Sequence, residues 1–182
     1  MSRLSMIRFL FFFLLLLSAP AVFSQQPAAE ATREKTRERL RQLLDRLKAE
    51  TKVTFKQSEK QPFNFLGIMK EGLTNSDSFE IVVSVTPKDT IGFRIFPHYK
   101  GGYINVDKVK NGPAMMKQLL QLNDRTFLFW GADESGDVFI GYTFTLESGF
   151  PDEAIRIVLA SIANMDKYIG EMKPNIDGSA AP

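Results

Sequence analysis

The chain has 182 residues, 44% hydrophobic and 24% charged, with 23 basic against 21 acidic side chains and no cysteine. Length and apolar content suit one globular domain with short additions. The lack of cysteine excludes disulfides, thiol catalysis, cysteine-ligated metal and a lipidated lipoprotein anchor.

The first 24 residues read as a cleaved secretory signal. Arg3 and Arg8 form a basic start, "FLFFFLLLL" from Phe9 to Leu17 is the apolar stretch, and "SAPAVFS" supplies small residues. With cleavage after Ser24, Val22 and Ser24 take the two specificity positions, and cuts after Ala19 or Ala21 also fit. From Phe9 to Phe23 the apolar run is about 15 residues and is interrupted by Pro20, short of the ~20 that a spanning helix needs. The expected destination is the periplasm or the exterior, with no stable membrane span after cleavage. This segment contains two of the 23 basic residues and no acid, which leaves 21 basic against 21 acidic residues beyond it. A neutral remainder offers no electrostatic case for nucleic acid.

"QQPAAEAT", residues 25–32, reads as a polar, Ala-rich linker. One domain is expected over 33–173, starting with a helix from Arg33 to Glu50. Leu40, Leu43, Leu44 and Leu47 form one narrow stripe on it, suited to docking on the domain. Its mixed charges also fit a face for acidic partners or a short coiled coil.

Three strands follow, Phe63–Met69, Phe79–Val85 and Ile91–Phe96. The second alternates Phe79, Ile81, Val83 and Val85 on one face, and the third alternates Ile91, Phe93 and Ile95. "TPKDT" joins them as a hairpin loop, and Pro97 ends the third strand or marks an edge. A helix over "NGPAMMKQLLQLN" has Asn111 or Gly112 as its cap and Pro113 in its first turn. Met116, Leu119, Leu120 and Leu122 supply its stripe, and Asn123 suits a left-handed C-cap. A last helix starts at Pro151, keeps its period to Met172 and is stopped by Pro174, leaving a flexible tail over 174–182. The order α-β-β-β-α-β-β-α implies an α+β fold, an antiparallel sheet of about five strands with helices packed on it.

Between the last two helices, "TFLFWGADESGDVFIGYTF" reads as a hairpin. Val138, Ile140, Tyr142 and Phe144 share the core face of its second strand. A five-residue loop, Ala132 to Gly136, would pair Gly131 with Asp137 and Phe129 with Phe139. Leu128 and Trp130 then join the core, while Phe127 and Phe129 join Phe139 on the second face. Three phenylalanines there need cover, since burying each is worth roughly 1.5–3 kcal/mol. The cover is either the Leu40–Leu47 helix or a partner, so Phe127, Phe129 and Phe139 are the candidate partner-binding residues. Phe65, Val82 and Phe96 extend this patch if the strand order allows.

Catalytic chemistry finds little support. His98 is the sole histidine, on "FPHYKGG", and lacks the companions of a hydrolytic dyad or triad. His98, Tyr99 and Tyr103 form a weaker candidate ligand loop around the Gly pair, which lacks a phosphate-binding context. "ADESGD" lacks calcium-loop spacing and reads as a polar turn. No catalytic residue, cofactor site or metal site is expected.

The helix end "LLQLND", the strand "TFLFWGAD", the turn "ESGD", the strand "VFIGYTFTL" and the helix "DEAIRIVLASIANMDKYIGEM" together resemble the YbjN-type family, whose fold is similar to type III secretion chaperones. The likeness spans about 63–172. It implies a compact binding module, often a homodimer, concerned with protein contact, client chaperoning or regulation, and it brings no catalytic residues. The apparent signal departs from that family's cytoplasmic habit. The expectation is an exported, non-enzymatic protein-binding module, chaperone-like or regulatory, whose partner is a client or a second copy. A small-ligand binder or enzyme using the 98–103 loop, and a structural envelope component, are the alternatives.

Overall fold

The alternating runs are realised as strands of one antiparallel sheet. The computed structural model describes residues 25–180, so the expected signal at residues 1–24 lies outside the described residues. The chain divides into two units, Met1–Thr32 and Arg33–Pro182, and the architecture is that of the second. In chain order the elements are α1 (Gln25–Thr51), β1 (Lys56–Gln57), β2 (Asn64–Met69), β3 (Ser78–Val85), β4 (Thr90–Tyr99) and β5 (Gly102–Tyr103). Then come α2 (Gly112–Arg125), β6 (Phe129–Ala132), β7 (Val138–Thr145), α3 (Asp152–Ser161), a 3₁₀ turn (Ile162–Met165) and α4 (Asp166–Ile176). The strand order is β1-β2-β3-β4-β7-β6, with β5 also paired to β4, and all pairs are antiparallel. The five expected strands are the longer ones; the two-residue β1 and β5 are additions.

Register places the core on one face. Phe65, Val83, Phe93 and Tyr142 lie opposite one another across four strands, and Gly67, Ile81, Ile95, Ile140 and Trp130 form the next row. These rows share one buried cluster with Leu40, Leu44 and Leu47 of α1, Met115, Leu119 and Leu122 of α2, and Ile155, Leu159, Ile169 and Met172 beyond. All the helices therefore pack on the same side. Each fully buried side chain here contributes roughly 1.5–3 kcal/mol relative to exposure. Gly67 is required in its row, because an added Cβ would meet Val53 and Phe55 at 2.6–2.9 Å.

Several expectations change. Residues 25–32, expected as an irregular polar segment, are helical, since Ala28, Ala29 and Ala31 are strong helix formers and Pro27 falls in the first turn, where its missing N–H costs nothing. Pro97 does not end its strand. It lies past the last β4–β7 pair, Ile95 with Ile140, while His98 keeps its bond to Asp77 on the β3 side, so no ladder bond is lost. On α2 the buried stripe is Met115, Leu119 and Leu122, and Met116 and Leu120 face solvent. Pro174 lies inside α4, not beyond it. The turn around it is held from outside: the Lys110 and Asn111 N–H groups donate to the Ile176 and Asn175 carbonyls at 2.9 Å. The tail is also tied, as Asp177 accepts from Tyr99 and Lys100.

Two polar side chains hold distant segments. Asp166, at the start of α4, is buried and reaches the β2–β3 connection. It accepts from the Thr74, Asn75 and Ser76 N–H groups at 2.6–2.8 Å, and from the Ser76 and Thr74 hydroxyls. Burial pushes its carboxyl up, but these donors outweigh burial and hold it below the usual carboxylate range. Asn123 does not cap α2, which runs on to Arg125. Its amide donates to the Trp130 carbonyl at 3.2 Å and accepts from the Trp130 N–H at 2.5 Å. Those Trp130 groups point away from β7, so Asn123 occupies the outer edge of β6 as a neighbouring strand would.

Two outcomes are expected. Asn123→Ala leaves the Trp130 N–H and C=O without partners and costs about 1–3 kcal/mol, read from urea unfolding midpoints. Asp166→Asn costs about 2–4 kcal/mol at neutral pH. Because the folded carboxyl is depressed, its stabilisation is present above the unfolded value of about 3.9 and is lost as pH falls through the folded value. The gap between wild type and Asp166→Asn therefore narrows below about pH 4, in unfolding curves taken across that range.

Candidate functional site

The face opposite the helices is built from the alternate positions of the same strands. One row runs Lys56, Leu66, Val82, Arg94, Gly141, Phe129, and the next starts Ile68, Glu80, Phe96. Leu66, Ile68 and Phe129 are exposed by 41%, 46% and 42%, which leaves a broad apolar surface that the helices do not cover. The Leu40–Leu47 stripe is buried in the core on the other face, so it is not the cover for Phe129.

The hairpin loop is Asp133–Asp137 rather than Ala132–Gly136, with Ala132 opposite Val138 and Phe129 opposite Gly141. The displacement moves each pairing by two positions and keeps parity. Leu128 and Trp130 are buried with Val138 and Ile140, as parity requires. Phe129 and Phe139 each lie over a glycine. A Cβ on Gly131 would meet the Phe139 ring at 3.2 Å, and one on Gly141 would collide with the Phe129 ring.

Aromatic contacts continue from there. Phe129 meets Phe139 edge-on at 5.6 Å between centroids, Phe139 lies 6.2 Å from Phe96, Phe96 5.8 Å from Tyr103, and Tyr103 4.4 Å from His98. The Arg94 guanidinium stands 3.8 Å from the Phe139 ring centroid. Phe139 is consequently only 6% exposed: it is the floor of the surface, not a contact residue. Phe127 does not join this cluster. β6 starts at Phe129, so strand alternation does not extend to Phe127, whose ring packs at 6.0 Å against Tyr142, a core-face residue. Val82 and Phe96 do extend the open face, whereas Phe65 is buried on the core side.

The 98–103 loop does not bring its three candidate side chains to one face. Successive residues of a strand point to opposite faces. His98 and Tyr103 lie on the open face, while Tyr99 packs against the core cluster and donates to Asp177 at 3.0 Å. The Tyr103 hydroxyl donates to Glu80 at 2.8 Å, and burial together with Glu80 pushes the phenol up to about 12, so it remains a donor. His98 Nε2 stands 3.7 Å from the same carboxylate, beyond hydrogen-bond reach. The acidic turn is engaged internally: Asp133 accepts from the Ser135 and Asp137 N–H groups, and Asn105 donates to Ser135 and Asp137. Clefts of about 250 Å³ and 470 Å³ occur elsewhere, beside the Lys52–Glu71 ion pair and beside Arg39 and Arg46, which both reach Asp152.

Arg94, Leu66 and Ile68 were not among the sequence-predicted site residues. Their signal was present as the complement of the core alternation: once Ile91, Phe93 and Ile95 point inward, Gly92, Arg94, Phe96 and His98 point outward.

No protein-family model matches the chain, and no curated protein matches it. Among solved structures it is similar to YbjN from E. coli, a proposed transcription regulator, at 12% identity over 72% of this chain and 86% of that one, with a TM-score of 0.49. It is also similar to a chain of the ExsC–ExsE complex, at 12% identity over 72% of this chain and 91% of that one, with a TM-score of 0.43. At such identity the likeness concerns fold alone. No helix among the described residues is long and apolar enough to cross a membrane.

The glycine–phenylalanine pairing generates a sharp expectation. Gly141→Ala displaces the Phe129 ring and costs about 1–3 kcal/mol. In Phe129→Ala the same change costs little, so urea midpoints of the four proteins form a strongly non-additive cycle.

Proposed function

We propose that this chain is an exported, non-enzymatic protein-binding module, chaperone-like or regulatory, whose partner is a protein client or a second copy. The observation that carries the reading is the one-sided sheet: the helices gather on the core face and leave Leu66, Ile68 and Phe129 exposed on the other. A patch of this kind marks a contact surface more often than an ordinary one. Asn123 occupies the outer edge of β6, which favours side-chain contact on the face over strand addition at that edge. The non-enzymatic reading is supported by Glu80, Asp166 and Asp177, whose carboxylates are each engaged by neighbouring donors in structural contacts. Export is supported by Arg3 and Arg8 ahead of the Phe9–Leu17 run, with small residues after it.

The test is site-directed photo-crosslinking in cells. A photoreactive side chain at position 129 is expected to yield one reproducible protein adduct in the periplasmic fraction. The same group at Lys117, on the helix side, is expected to yield none. Phe129→Asp is expected to abolish capture while the protein stays folded, since the residue is partly exposed, at a cost of about 1–3 kcal/mol read from urea unfolding. Equal adducts at both positions, or a purely cytoplasmic adduct, would sink the proposal.

A further inference from the structure

Arg94 stands mid-face without a carboxylate or carbonyl partner. In the row Lys56, Leu66, Val82, Arg94, Gly141, Phe129 it is the one charged residue away from the edge strand β1. Every other described arginine reaches a carboxylate or a backbone carbonyl. Arg94 is seen against the Phe139 ring alone. Glu80, the acid of the next row, is already taken by the Tyr103 hydroxyl.

This arrangement selects a chemistry. A guanidinium held against a ring is weakly hydrated and keeps its rigid N–H fork for a planar acceptor. A purely apolar segment laid on the face would strip water from that fork and return no hydrogen bond. A basic segment would be repelled. A carboxylate satisfies the fork with two parallel charge-assisted bonds. Taking the binding reading above as given, we infer that the open face takes an apolar protein segment carrying an Asp or Glu. Arg94 clamps that carboxylate, and the flanking apolar side chains pack on Leu66, Ile68 and Phe129. Arg94 then acts as the specificity determinant of the surface, and Phe129 as an apolar anchor.

The probe is a peptide selected on the full chain from a display library of random sequences. The best binder is resynthesised in two forms, with its acid and with the matching amide. Affinities are measured by fluorescence anisotropy on wild type, Arg94→Met, Arg94→Lys and Phe129→Asp. Arg94→Met keeps an unbranched apolar stem over Phe139, and unfolding midpoints verify that each variant is folded. Selected peptides are expected to carry an acid among apolar residues. The acid-to-amide change should weaken binding to wild type by about tenfold or more and binding to Arg94→Met by less than about twofold, with Arg94→Lys between them. Equal weakening on both proteins overturns the inference, as does selection of peptides without an acid. So does a concentration-dependent mass in light scattering that Arg94→Met abolishes, which would assign the face to a second copy. If Phe129→Asp weakens peptide binding but Arg94→Met does not, the carboxylate clamp fails and the binding face stands. If Phe129→Asp changes nothing, or the library returns no binder, both fail.

Discussion

The structure rests on a parity constraint. An antiparallel sheet has two faces, and a residue's place in its strand decides which it serves. Here the helices claim one face. Phe65, Val83 and Phe93, and Ile81, Ile95, Ile140 and Trp130, are buried because their rows meet those helices. The same alternation sends Leu66, Val82, Arg94, Phe96 and Phe129 to the other side. Core and candidate surface are thus two readings of one register, and a slip in any strand would exchange them.

What could be read before the structure follows from that constraint. Parity in the hairpin was legible from the alternation of Val138, Ile140, Tyr142 and Phe144, and it survived a displaced loop because the displacement kept pairs in phase. It failed at Phe127 because parity holds only within a strand, and β6 begins two residues later. The α2 stripe was misplaced because Met115 and Met116 are adjacent and chemically equivalent, so period alone does not choose between them. Pro174 misled because a proline interrupts a helix only where the lost bond is needed; here the last turn is held by Lys110 and Asn111. Arg94 went unnoticed because a single charge in a strand reads as solvent-facing decoration. Its meaning depends on Phe139, far away in sequence, lying beneath it.

The open face is also more ordered than an exposed apolar patch needs to be. Glycine on one strand faces phenylalanine on the next, twice, so each ring occupies space that a Cβ on the facing residue would take. Ring-to-ring contacts link these two to Phe96, Tyr103 and His98 across four strands. Such interlocking limits rotamer freedom before any contact is made, so less conformational entropy is lost on association. A surface preorganised in this way is suited to a defined partner geometry rather than to indiscriminate capture.

The edge of β6 gives the fold a further property. A sheet with one apolar face is the kind of object that stacks, and a free strand edge beside it supplies the template for growth. The Asn123 amide takes the Trp130 donor and acceptor that such growth would use at that position. Apolar on one face and capped at this border, the sheet offers no free strand edge for such growth at Trp130.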